Sequence, residues 1–201
     1  MIRQINLTTC GLRYGVAVLL ATALTLAGCD VGAPAARQVA VLGGEIQVRA
    51  PQSYCVDIPS ARSAADAAVV LIGRCTQGGN VAAALVTVTI GRTASGAVML
   101  AGTEALRAFM SSPAGRRALA RSGRAEDVEV LESGGVQDRL LLRLNDRLAG
   151  DYWRAVVGIK GRLVTISASG AEGAPLTADA GRRLVDATVE ALIAANPAPP
   201  G

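Results

Sequence analysis

Four cysteines, at positions 10, 29, 55 and 75, carry the most reactive side-chain chemistry in this chain. None stands in the Cys-x-x-Cys spacing that a zinc site or a dithiol redox centre uses. The chain has no histidine. That removes the Ser-His-Asp and Cys-His arrangements, His-bearing zinc sites and the usual general base near neutral pH. Lys160 is the single lysine. A lysine can activate a serine, but this one falls in an expected turn with no serine motif beside it. Asp127 and Glu129 pair two carboxylates on a charged strand face without any sign of a pocket. No Gly-Lys-Ser/Thr loop is present to cradle phosphates, and the glycines mark turns. The expectation is therefore no catalytic residue, no metal and no cofactor.

Binding chemistry has more to draw on. Arg116, Arg117, Arg121 and Arg124 fall in the stretch GRRALARSGR. On a continuous helix their spacing makes one basic edge. Such an edge could touch anionic headgroups, at about 1 kcal/mol per arginine near the surface. The plainer reading is a solvated face paired with Glu126, Asp127 or Glu129. In the run Asp151-Tyr152-Trp153-Arg154, strand alternation turns Trp153 inward with Ala155, Val157 and Ile159, and Tyr152 and Arg154 outward. Tyr152 with Arg154, joined by Arg139 and Arg143 on the neighbouring strand, is a candidate protein-binding sheet face. Nucleic acid is not an expected partner. Aromatics make up 2% of the chain, and setting aside Arg3 and Arg13 in the leader leaves a surplus of two positive charges.

The elements that position these residues follow from hydrophobic period. EIQVR, AAVVLIG, ALVTVTI, DVEVL, DRLLLRL, YWRAVVGI and RLVTISAS read as strands. RCTQGGN carries a Gly-Gly turn signal, and Lys160-Gly161 is a tight hairpin. Thr103 is placed to cap a helix with Leu106, Phe109 and Met110 on one face, and Ser112-Pro113 to start a second. A last helix begins near Thr177 and buries Leu184, Val185, Val189, Leu192 and Ile193, with Arg182, Asp186 and Glu190 outside. Without strand–helix alternation, the consistent fold is α+β: an antiparallel sheet of six to seven strands with helices packed on it. The order of elements is loosely similar to that of small periplasmic sandwiches such as the PsbP-like domains. That similarity implies an architecture and no activity.

Residues 1–28 have the layout of an export signal: a short segment with two arginines, an apolar run from Tyr14, and small residues before Cys29. The run is shorter than the roughly 20 residues a membrane-spanning helix needs. Leu26, Ala27, Gly28 and Cys29 match the lipobox, and on these residues the chain resembles the bacterial lipoprotein precursors. The resemblance implies a diacylglycerol on the Cys29 thiol, cleavage between Gly28 and Cys29, and further acylation of the new amino group. Two or more acyl chains anchor stably, at about 0.8 kcal/mol per buried methylene. Asp30 resembles the signal for retention in the inner membrane. That places the domain on its periplasmic face, with the inner leaflet of the outer membrane, or the outer face of a single membrane, as alternatives.

The expected organisation is a signal peptide at 1–28, a lipidated cysteine and flexible tether at 29–40, one domain at 41–195 and a loose tail at 196–201. With Cys10 removed in the leader and Cys29 lipidated, Cys55 and Cys75 remain in an oxidising compartment and are expected to form a disulfide. The alternative is two buried free thiols. The function expected is a non-catalytic binding or scaffolding lipoprotein, contacting the membrane through its acyl chains and another envelope protein through its domain. A second reading is a module that binds the membrane surface or a cell-wall polymer through the arginine edge. A third is a degenerate, hydrolase-like domain.

Overall fold

The computed structural model describes residues 35–76, 80–136 and 138–198. The readings on Leu26, Ala27, Gly28, Cys29 and Asp30 lie outside the described residues, as does the Gly78-Gly79 turn signal. The elements in chain order are β1 (Gln38–Val41), β2 (Ile46–Arg49), β3 (Tyr54–Ser63), β4 (Ala68–Arg74), β5 (Ala84–Ile90), α1 (Thr103–Ser111), α2 (Pro113–Leu119), β6 (Val128–Val136), β7 (Arg139–Asp146), β8 (Gly150–Ile159), β9 (Arg162–Gly170) and α3 (Ala178–Ala195). Seven strands form one sheet in the order β3-β4-β5-β9-β8-β7-β6. Every neighbouring pair is antiparallel. The fold is α+β.

Alternation sets the two faces. Val86, Val88 and Ile90 of β5 are fully buried, as are Val164 and Ile166 of β9. They join Trp153, Ala155 and Val157 of β8 in a core closed by Leu184, Val185, Val189 and Leu192 of α3. Thr177 starts α3, its Oγ1 accepting the Ala180 N–H at 3.3 Å. Ile193 departs from the expected stripe and is 42% exposed, because it points to the side of the face on which Val185, Val189, Leu192 and Asn196 are buried. The opposite face holds a second core of Leu140, Leu142, Leu144, Tyr152 and Val156 under Leu106 and Leu119. Phe109 departs from the expected face of α1 and is 48% exposed. Gly102, at φ 85°, stands at the N-cap of α1, and Thr103 is its first residue. Ser112 does cap α2, its hydroxyl accepting the Gly115 N–H at 3.2 Å.

Two strands depart from the sequence expectation. The stretch 36–40, expected as tether, belongs to the fold: β1 pairs with β2 in a separate ribbon, and Ala36 bridges Val56. EIQVR is therefore not part of the main sheet. Its place is taken by β3, which contains Pro59 and a register shift between Asp57 and Arg62. Proline is tolerated there because β3 is an edge strand and bulged, so the missing N–H leaves no ladder bond unmade. Cys55 lies inside β3, and its bond to Cys75 links the two ends of a 20-residue separation. The expected tail also begins later than 196. Asn196 is buried; its side-chain N–H groups donate to the Leu192 and Gln47 carbonyls, and its Oδ1 accepts the Gln47 N–H.

One buried cation ties the start of β9 to three loops. The Arg162 side chain, 5% exposed, reaches Glu45 through two bonds of 2.8 and 2.9 Å and Asp66 Oδ1 at 2.9 Å. It also donates to the Gly91 carbonyl and to the Thr93 hydroxyl. The planar guanidinium has enough donors to satisfy all of these partners at once.

The crossover decides what stays open. After β5 the chain passes over one face through a 3-10 turn, α1 and α2, reaches the far edge at β6, and returns as a meander to place β9 beside β5. The two short helices cover the β6–β7–β8 half of that face. The 3-10 turn lies against the start of β9, and β4, β5 and the rest of β9 are left open on that face.

Candidate functional site

The floor of the uncovered half is built from hydroxyls. Cross-strand register aligns Thr87 with Ser167, Thr89 with Thr165, and Leu85 with Ser169. Residues directly opposite on neighbouring strands point to the same face, so each row extends onto β8: Ser167 faces Arg154, and Ser169 faces Tyr152. Each hydroxyl alternates with a buried aliphatic residue of the α3 core, so the pattern that packs one face also lines the other.

Where the helices stop, the floor gains a wall. A cleft of ≈ 290 Å³ is lined by Leu85, Thr87, Thr89, Thr165, Ser167 and Ser169 below, and by Leu119, Arg121, Ala149, Tyr152 and Arg154 at the side. No acidic side chain is among them. Arg154 is half-buried, and its Nε donates to Ser167 Oγ at 2.9 Å. Its guanidinium carbon sits 5.3 Å from the centroid of the Tyr152 ring, a stacking that holds the planar fork in place. Burial pushes the Tyr152 hydroxyl above its usual titration range, with Arg154 pulling the other way.

Asp146 positions both side walls. It is 1% exposed and accepts three backbone N–H bonds, from Arg121 at 2.9 Å, Leu148 at 2.8 Å and Ala149 at 3.0 Å. One carboxylate thus pins the loop carrying Arg121 and the β7–β8 turn carrying Ala149. Burial acts to raise the Asp146 pKa, but these donors outweigh it and hold the carboxyl below the usual range. Glu45 is held down by Arg162, and Asp66 by the Thr93 hydroxyl and then Arg162. All three bind fewer protons when folded than when unfolded. Their stabilisation is complete above the unfolded carboxyl values of about 4 and is lost as pH falls through the lower folded values. The expected result is a urea midpoint that is flat near neutrality and drops between about pH 4.5 and about pH 3. Asp146→Asn should reduce that drop; a midpoint unchanged over the range would contradict the assignment.

The site residues expected from sequence divide into groups. Arg121, Tyr152 and Arg154 come together in this cleft. Tyr152 is not outward and free, however: it is 8% exposed and packs beneath α2. Arg139 and Arg143 are on the other face, opposite Val157 and Trp153. There Arg139 pairs with Glu190 at 2.5 Å, and Arg143 with Glu132 at 2.9 Å and Asp151 at 3.2 Å. The four-arginine edge does not form on one helix, because α2 ends at Leu119 and the chain turns extended at Ala120. Arg116 donates to the Ser111 carbonyl, while Arg124 pairs with Glu126 at 2.9 Å and Asp127 at 3.5 Å. Arg117 is exposed.

Sequence reasoning missed the hydroxyl floor. The alternation of Thr87, Thr89, Thr165, Ser167 and Ser169 with aliphatic residues was its visible signal. Trp153 takes its core role: it is 5% exposed and lies against Gly181, where a Cβ would stand 2.9 Å from its Cδ1. Its indole Nε1 has no protein partner. Beside it a cavity of ≈ 20 Å³ has room for one water. Among the described residues, no cluster of His, Cys, Asp and Glu could hold a metal ion, and no helix is long and apolar enough to cross a membrane.

Fold and site together define an α+β domain with one sheet face closed and the other half open as a polar, cationic cleft. No family model matches the chain, and no curated protein matches it. Among solved structures it is similar to a mutant of the protein Mog1, at 13% sequence identity and a TM-score of 0.41, over 79% of this chain and 93% of that one. The fold described above stands on its own strand order, not on that likeness.

Proposed function

We propose that this chain is a membrane-anchored envelope lipoprotein whose domain is a non-catalytic binding module for another envelope protein. The anchor is the acylated Cys29, and the binding surface is the open half of the sheet. The observation that carries the reading is the cleft itself. Arg154 stacked on Tyr152 in a half-buried setting is the pair of residue types in which protein–protein binding energy concentrates, and the hydroxyl floor beside it adds directed hydrogen-bonding groups. The lipobox residues and Asp30 support anchorage on the periplasmic face of the inner membrane. The tether from Cys29 to the first bridged residue, Ala36, spans at most about 3.6 Å per residue. The domain is thereby held close to the bilayer and presented to neighbours in the same membrane.

The test is photo-crosslinking in cells, with the reactive side chain at position 87 on the cleft floor and, as a control, at exposed Arg183 on α3. One envelope protein captured from position 87, and lost in Cys29→Ala, is the expected result. Equal capture from both positions would overturn the cleft as the binding surface. Capture unaffected by Cys29→Ala would overturn the anchor.

A further inference from the structure

We infer that the cleft receives an acidic side chain of its protein partner, an aspartate or glutamate carboxylate seated between Arg121 and Arg154; this rests on the open sheet face being the binding surface proposed above. The first ground is unmatched charge. Arg154 uses Nε on Ser167, and neither of its terminal nitrogens has a protein partner among the described residues. Arg121 contributes its backbone N–H to Asp146, and its guanidinium forms no ion pair among the described residues. Arg121 stands exposed at the rim of the cleft. Arg154 is half-buried among hydroxyls, and nothing acidic lines the cleft.

The second ground is geometry. Arg154 rests against the Tyr152 ring, so its fork is held in one plane before a ligand arrives. A carboxylate takes two parallel N–H bonds from such a fork. The hydroxyls of Thr87 and Ser167 lie across the strands from one another and can serve the remaining lone pairs. Asp146 holds the Arg121 backbone and attracts its guanidinium without an ion pair among the described residues, so the side chain keeps its donors for a ligand.

The third ground identifies the carrier of the carboxylate. The margins of the cleft are apolar: Leu85 is 41% exposed, Val69, paired with Thr89, is 37% exposed, and Leu148, beside Ala149, is 62% exposed. A free small anion would leave these groups in water. A protein segment covers them while its acid occupies the centre, an arrangement that excludes water from the central ion pair.

The experiment uses the full chain extracted from membranes in mild detergent. Four probes are titrated: a serine-alanine peptide carrying adjacent aspartates, the same peptide with asparagines, inorganic phosphate, and phosphatidylglycerol vesicles. The aspartate peptide is expected to bind, and the asparagine peptide to bind at least about tenfold more weakly. Arg154→Met and Arg121→Met are each expected to weaken the aspartate peptide about tenfold. The melting temperature of Arg121→Met should match wild type, since that side chain is exposed, while Arg154→Met also loses the bond to Ser167 and the stacking on Tyr152 and should melt a few degrees lower yet still cooperatively. Equal binding of the two peptides, or wild-type affinity in both variants, overturns the inference. So does binding of phosphate or vesicles without binding of the aspartate peptide, which would mark the site as one for a free anion or a membrane. Capture at position 87 persisting alongside equal peptide binding removes the acid and leaves the binding face; loss of that capture removes the face, and the inference with it.

Discussion

Gly115→Ala is expected to be among the most damaging single-methyl additions to this protein, lowering its stability by about 3 kcal/mol and closing or distorting the cleft. A Cβ at position 115 would stand 2.0 Å from the Phe109 carbonyl oxygen and 2.5 Å from the Met110 Cα. Both are backbone atoms of α1, so no side-chain rotation relieves the clash. The corner between α1 and α2 is tight because Ser112 separates them and caps the second helix. The added methyl must therefore drive α2 away as a unit. Leu119 and Ala120 move with it, and they cover Leu140, Leu142 and Leu144. Arg121 follows immediately, and its bond to Asp146 would break. Thermal unfolding checks the first part, with a fall in Tm of about 2–4 °C per kcal/mol for a chain of this size. Crosslinking from position 87 checks the second. A Tm within a degree or so of wild type would mean the corner has slack that the contact distances deny.

Removing the Cys55–Cys75 disulfide is expected to cost about 3 kcal/mol, the loop-closure value for a separation of this length. The loss should be local in its consequences. Cys55 stands opposite Gly73 in the β3–β4 ladder, and the Cys75 N–H donates to the Ser53 carbonyl at 3.2 Å. The bond thus fastens the beginning of an edge strand whose later half is bulged and holds Pro59. Without it, β3 is secured by one row of ladder bonds and the bridge from Ala36. Cys55→Ser with Cys75→Ser should lower the urea midpoint and speed amide exchange in β3 far more than in β7 or β8. Equal exchange in all three strands would show that the bond stabilises only through the unfolded chain. Gly73, opposite Cys55, follows Ile72, whose partner Val86 stands next to Leu85 in the cleft lining, so loosening this edge is expected to weaken binding as well.

Much of the architecture was legible because its signals are local. ALVTVTI and DRLLLRL alternate with period two, and each became a strand with the expected residues buried. Lys160 and Gly161 both take positive φ, 46° and 74°, as a two-residue hairpin turn requires. Thr177 and Ser112 cap the helices they precede. The misses were also local in origin. Tyr54–Ser63 contains Pro59, Ser60 and Arg62 and reads as a loop; only its edge position makes it a strand. The arginine run looked like one helix because Ala and Leu between the arginines favour helix, yet the chain must leave α2 at Ala120 to bring Arg121 onto Asp146.

By itself the sequence determined most of the strands and the capped helices, the α+β class, the pairing expected for Cys55 and Cys75, and the absence of any histidine-based chemistry. These depend on residue type and spacing within a few positions. The tertiary structure alone decided that β9 inserts between β5 and β8, because that neighbourhood arises from a crossover spanning some seventy residues. From that insertion come the hydroxyl floor, the burial of Tyr152, the division of the arginines between two faces, and the half-open cleft. No local pattern encodes these features, since each depends on which distant strands share an edge.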